Sequence, residues 1–199
     1  MKKIFLLFLG AAALCCSLRP ALAQGPARLP TVVLGDSITE GAQWPQNFPT
    51  DAPINMGVSG DTTLGMLARV DQVMAAKPGK VLVMAGINDL LRGRPVADVL
   101  ATYGQLLARL DDGGKRLVIQ STLYVRPPSN VLVNDSVRAL NEGLLQMCTA
   151  NRRCTFIDIN EVVAPAGFLI AADTTDGLHL NTAGYLAWFQ RLRERKILE

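Results

Sequence analysis

Ser37 stands at the end of an apolar, β-branched run, Thr31-Val32-Val33-Leu34, that stops at Gly35-Asp36. A serine hydroxyl attacks a carbonyl only when a base takes its proton. The chain holds one histidine, His179, so a histidine-assisted serine chemistry has its base assigned by elimination. Asp176 lies three residues earlier, in the glycine-containing stretch Asp176-Gly177-Leu178-His179. From there its carboxylate can reach back to the imidazole Nδ1–H and hold the tautomer whose Nε2 accepts a proton. A tetrahedral oxyanion needs hydrogen-bond donors as well. Candidates are the N–H of Gly57 in Ile54-Asn55-Met56-Gly57 and the side-chain amide of Asn88 in Gly86-Ile87-Asn88-Asp89.

Other chemistries have weaker claims. Ser59, in Gly57-Val58-Ser59-Gly60, is the strongest rival nucleophile, but it sits past a strand end on a loop. Asp36 as a phosphoryl acceptor lacks a second acid nearby for magnesium. No glycine-rich phosphate loop and no Gly-x-Ser-x-Gly elbow is present. Nothing calls for a cofactor or metal: Cys148 and Cys154 have no histidine near them to complete a zinc site. The two cysteines flank Thr149-Ala150-Asn151-Arg152-Arg153, a helix-to-strand corner, and are either bridged or two buried thiols.

Positioning these groups requires a scaffold, and the hydrophobic pattern describes one. Strands are expected at Thr31–Leu34, Ile54–Gly57, Val81–Ala85, Leu117–Ile119 and Thr155–Ile159. Several lack polar alternation, which implies cover on both faces. Helices are expected between them. One opens with Asp61 or Thr62 as N-cap, carries Leu64, Leu67, Val70 and Met74 at helical spacing, and ends at Pro78-Gly79. The next starts at Pro95, turns Val99, Tyr103, Leu106, Leu107 and Leu110 inward, and stops at Asp112-Gly113-Gly114. Others span about 133–148 and 182–192. Strands alternating with helices make a parallel α/β sheet with helices on both faces. Five strands suggest the flavodoxin-like order 2-1-3-4-5, in which ligands bind at the carboxyl ends of the strands. That order makes the ends of strands one, two and three neighbours, so Ser37, Gly57 and Asn88 converge.

The first 23 residues read as a secretory leader: Lys2 and Lys3, an apolar run from Ile4 to Leu14, and the small-residue pattern Ala21-Leu22-Ala23. The run is too short for a membrane span. Export to the periplasm or medium is therefore expected, with residues 24–199 forming one domain. The leader's Lys2, Lys3 and Arg19 account for the whole formal excess of +3. A mature chain near neutrality favours neither nucleic acid nor an anionic surface as a partner.

Four blocks carry a family resemblance: Gly35-Asp36-Ser37-Ile38, Gly57 within Asn-Met-Gly-Val-Ser-Gly-Asp-Thr-Thr, Gly86-Ile87-Asn88-Asp89, and Asp176-Gly177-Leu178-His179. Together, in this order, they resemble the SGNH (GDSL) hydrolases. The resemblance implies a three-layer α/β/α sandwich and a carboxylic ester hydrolase. It implies Ser37 as nucleophile, His179 as base, Asp176 as its orienting acid, and Ser37, Gly57 and Asn88 as oxyanion donors. Ile38 replaces the family's leucine, a mild apolar swap. Ser59 to Thr63 and Gly184, Tyr185 and Trp188 are similar to the branch of platelet-activating-factor-acetylhydrolase-like and carbohydrate acetyl esterases. Asn88 to Arg94 is similar to the lysophospholipase/thioesterase branch. The expected substrate is a small-molecule, glycan or lipid ester with a short acyl group, and a non-catalytic glycan or lipid binder of the same fold is the rival. Trp44 and Asn47, after the nucleophile, are candidate pocket walls, as is the stretch from Tyr124 to Asn130. Trp188 and Phe189 read as core.

Overall fold

A computed structural model describes residues 28–111 and 114–199. The expected leader, and Asp112 and Gly113 of the expected helix stop, lie outside the described residues. The elements begin with β1 (Thr31–Gly35), α1 (Ser37–Glu40), α2 (Trp44–Asn47), β2 (Ile54–Gly57), α3 (Thr63–Ala68), α4 (Val70–Ala75) and β3 (Lys80–Val83). There follow α5 (Ile87–Leu91), α6 (Val96–Leu110), β4 (Arg116–Gln120), α7 (Asn134–Thr149), β5 (Cys154–Ile157), α8 (Asn160–Val163) and α9 (Thr182–Glu194).

The strands form one parallel sheet in the order β2-β1-β3-β4-β5. This is the expected order, and with the helices around it makes a three-layer α/β/α fold. Val32, Val33 and Leu34 on β1, and Val81, Leu82 and Val83 on β3, are fully buried, as runs covered on both faces must be. On one side α6 packs against α3, α4, α5 and α7. On the other, α2 meets α9 through an aromatic cluster: the Trp44 ring centroid lies 5.1 Å from that of Trp188 and 5.3 Å from that of Phe189. Trp188 and Phe189 are core, as their pattern suggests, and Trp188 Nε1 donates to Gln120 Oε1 at 2.7 Å.

The helix expected between β2 and β3 is two. Its N-cap is Thr62, whose side chain accepts from Gly65 N–H, but Arg69 leaves helical geometry (φ −109, ψ 14). Its guanidinium turns back to Asp61 (Nε to Oδ2, 2.8 Å) and to the Gly35 carbonyl (3.1 Å). Of the expected inward face Val70 is buried and Leu64 is exposed, and Met66 and Val73, at helical spacing from Val70, are buried with it. Cys148 and Cys154 are joined as a disulfide between the end of α7 and the start of β5, with Cα atoms 4.8 Å apart. Among the described residues, no helix is long and apolar enough to cross a membrane.

Candidate active site

Ser37 is the first residue of α1, a helix of four residues capped by Asp36, whose Oδ1 accepts from Ile38 N–H at 3.0 Å. The first N–H groups of a helix have no partner within it, so the Ser37 N–H is left without one inside α1. Ser37 Oγ lies 3.0 Å from His179 Nε2, although 142 residues separate them. His179 Nδ1 lies 2.7 Å from Asp176 Oδ2. A carboxylate only accepts, so Nδ1 carries the proton and Nε2 is left to accept from the serine hydroxyl. Burial pushes the Asp176 carboxyl up, but its bond to the imidazole and the N–H groups of His179 and Leu178 outweigh this and bring it down to about 2. It is thus ionised wherever the imidazole could serve as a base.

A short hairpin delivers the histidine. Thr174 bridges Leu180, Thr175 N–H donates to the His179 carbonyl (3.1 Å), and Thr174 Oγ1 donates to the same oxygen (2.7 Å). Its tip needs glycine: Gly177 has φ +85, and a Cβ there would run into the Arg126 carbonyl oxygen. Arg126 N–H in turn donates to the Gly177 carbonyl at 2.8 Å. The stretch after β4 therefore buttresses the histidine loop, a role its sequence does not announce.

The donor side departs from expectation at one residue. Val58 N–H donates to the Gly35 carbonyl (3.0 Å), and successive N–H groups of a strand point to opposite sides. Gly57 N–H therefore points off the free edge of β2, away from β1, where Asn55 Oδ1 accepts it at 2.9 Å. What Gly57 provides is closeness: a Cβ there would collide with the backbone of Glu40. Three residues on, Gly60 has φ +72 and an N–H with no acceptor among the described residues. Asn88, in the first turn of α5, donates from Nδ2 to the Asp61 carbonyl at 3.0 Å, which sets its amide beside this turn. The signal for Gly60 was present as a glycine between Ser59 and Asp61, overshadowed by the glycine that ends the strand.

Asp89 is the positioning residue that motif reading passes over. It is buried and binds Thr63 at N (2.9 Å) and Oγ1 (2.8 Å), and Arg94 Nη1 (2.9 Å). Arg94 continues to Thr102 Oγ1 at 2.6 Å. Asn88 and Asp89 together clamp the turn from Gly60 to Thr63. Asp36 is also buried: Oδ2 has no partner, and burial pushes its carboxyl up to about 6 against the opposing pull of Ile38 N–H and the charge of His179.

Two candidate pocket residues separate. Trp44 is fully buried in the aromatic cluster with Nε1 bonded to the Thr39 carbonyl (3.0 Å), so it is core and lines no pocket. Asn47 borders a groove of about 470 Å³ next to the histidine hairpin. Ser59 is exposed, and the single imidazole is engaged by Ser37. Among the described residues, no three His, Cys, Asp or Glu side chains gather where they could hold a metal ion.

Residues 33–187 match the model of the GDSL-like Lipase/Acylhydrolase family. An arylesterase of Vibrio mimicus is 32% identical over 114 residues, covering 50% of this chain and 56% of that protein. An N-acylneuraminate cytidylyltransferase of Streptococcus agalactiae serotype V is 25% identical over 148 residues, 74% of this chain and 34% of that protein. The chain thus spans about half or less of the length of these curated relatives. Among solved structures, a GDSL-like lipase from Bacteroides thetaiotaomicron superposes with a TM-score of 0.74 at 23% identity, covering 84% of this chain and 87% of that one. A catalytic mutant of an acetylxylan esterase from Geobacillus stearothermophilus gives 0.68 at 21% identity, over 82% and 92%. At these identities the structures speak for the fold alone.

Proposed function

Since the chain belongs to the GDSL-like lipase/acylhydrolase family, we propose that it is a serine esterase cleaving carboxylic esters with short acyl groups, through Ser37, His179 and Asp176. The observation that carries this is the continuous relay from Ser37 Oγ to His179 Nε2 (3.0 Å) and from His179 Nδ1 to Asp176 (2.7 Å). As the Ser37 oxygen bonds to the acyl carbon, its proton passes to Nε2 and the imidazolium is stabilised by the ionised Asp176. The carbonyl oxygen takes the negative charge toward Ser37 N–H, Gly60 N–H and the Asn88 amide. Each such donor is worth about 3 kcal/mol at the barrier. The imidazolium then gives its proton to the departing alcohol, and a water activated by the same nitrogen releases the acid and restores Ser37. Gly57 supports this constellation by close packing on α1 and is not a donor.

A short acyl group suits an open site: the side chains of His179 and Asp176 are 39% and 50% exposed. We further infer an exported enzyme, from the leader pattern in residues 1–23 and from the Cys148–Cys154 disulfide, a bond favoured outside the cytosol.

The test is hydrolysis of phenyl acetate. Ser37→Ala and His179→Ala are each expected to cut kcat by at least about 1000-fold, with Ser37 the residue labelled by a fluorophosphonate. Turnover persisting near the wild-type rate in either variant would refute the assignment.

A further inference from the structure

The Gly60 N–H lies in a turn of defined type. Asp61 N–H donates to the Val58 carbonyl at 3.1 Å. Gly60 has φ +72, whereas Ser59, unlike Ala52, Lys77 and Lys196, does not have a positive φ. Residues 58–61 therefore make a type II turn with glycine at its third position. The Gly60 N–H belongs to the central peptide of that turn. Turning this peptide over converts type II to type I and sends the N–H to the opposite side, with the Ser59 carbonyl in its former place. The direction of the donor thus depends on how firmly the turn is held.

Its start is tied to β1, where Val58 N–H donates to the Gly35 carbonyl at 3.0 Å. Its end is tied to α5 by two side chains. Asn88 Nδ2 donates to the Asp61 carbonyl at 3.0 Å, and Arg92 Nη2 donates to the Gly60 carbonyl at 2.9 Å. Asn88 and Arg92 are four residues apart, the spacing that sets side chains on one helical face, and they take two consecutive carbonyls. A side-chain amide carries two donor hydrogens. Asn88 commits one to Asp61, and that bond aims the other. Arg92 commits its bond to Gly60, the residue that carries the other donor. Arg92 is exposed, caps the C-terminal end of α5, and its side chain has no other partner among the described residues. It therefore supports the turn without supporting the core.

Resting on the serine-esterase reading, we propose that Arg92 is a positioning residue of the reaction: by holding the Gly60 carbonyl it keeps the Gly60 N–H and the Asn88 amide at the separation that one oxyanion requires. It acts through Gly60 and not on the ester. The bond has a charged donor, which makes it stronger than one between neutral groups. Arg94, two residues on, serves a different purpose, since its guanidinium is taken up by Asp89, Thr63 and Thr102.

The experiment follows phenyl acetate hydrolysis and inhibition by benzeneboronic acid, which forms a tetrahedral adduct on a serine oxygen and so reads the donors without turnover. Arg92→Ala is expected to lower kcat about 10-fold, the worth of a hydrogen bond from a charged group, with KM changed less than about 2-fold. The boronic acid should bind about 10-fold more weakly as well. Arg92→Lys, which keeps a charged donor, should recover most of both losses. Unchanged circular dichroism and complete fluorophosphonate labelling of Ser37 verify that both variants are folded. Unaltered kcat and boronic-acid affinity in Arg92→Ala would overturn the positioning role. So would a kcat loss that the boronic acid does not follow, or a rise in KM alone, which would make Arg92 a substrate contact. A wild type that neither cleaves phenyl acetate nor takes the fluorophosphonate would overturn the esterase reading beneath it.

Discussion

Replacing Asp36 by Asn is expected to make the protein more stable at pH 8 and slower as an enzyme. Asp36 is buried, its Oδ2 is without a partner, and its carboxyl is pushed up from 3.8 to about 6. Two units at 1.36 kcal/mol each amount to about 3 kcal/mol. An acid whose pKa is higher in the folded state binds protons more strongly there, so folding stability falls as pH rises from about 4 to about 6. The penalty is complete above that window and absent below it. The groups that act on Asp36 have opposite signs: Ile38 N–H and the His179 charge lower its pKa, and Asp61 raises it. Asparagine keeps an oxygen for Ile38 N–H and caps as well as aspartate, so the substitution removes the buried charge without removing the cap. Urea unfolding of both proteins at pH 5 and pH 8 provides the measurement. The variant should gain up to about 3 kcal/mol at pH 8 and about half of that at pH 5, the middle of the window. The charge it loses is one that attracts the imidazolium formed during turnover, so kcat should drop several-fold. A stability difference between the two proteins that does not change from pH 5 to pH 8 would refute the reasoning.

Asp89→Ala strips Thr63 and Arg94 of their buried acceptor. Breaking a buried pair on one side costs about 3–5 kcal/mol, and kcat should fall as the Gly60–Asn88 donors lose their clamp; urea unfolding and ester turnover report the two effects. Gly177→Ala places a Cβ against the Arg126 carbonyl at a residue with φ +85. Turnover is expected to fall at least about 10-fold with the global fold retained by circular dichroism, because the histidine loop alone must move. Trp44→Ala should cost about 3–5 kcal/mol on unfolding, as expected of a core ring; a loss confined to KM would instead return Trp44 to the pocket. Acidification offers a separate check on Asp176: a carboxyl held at about 2 contributes stability that is present above pH 4 and lost as pH falls through about 2. Its half-exposed side chain keeps that contribution small, and Asp176→Asn should remove it.

Much of the fold was legible in the chain, as were the groups proposed to react. Val32, Val33 and Leu34 follow one another without a polar residue, as suits a strand covered on both faces, and the alternation of such runs with helical stretches points to a parallel sheet. A single histidine leaves one candidate base, and Asp176 is local enough to reach it without knowledge of the fold. The donors were another matter. Which way the Gly57 N–H points depends on the pairing of β2 with β1, because a strand alternates the direction of its amides and composition does not record the phase. Trp44 looks the same in sequence as pocket wall or core; α9, more than a hundred residues later, covers it. Arg69 ends a helix that its own neighbours would continue, because Asp61 and the Gly35 carbonyl draw its guanidinium back. Residue type determines which chemistry a group can perform, while the direction of a backbone amide and the burial of a ring are set by neighbours brought from elsewhere in the chain.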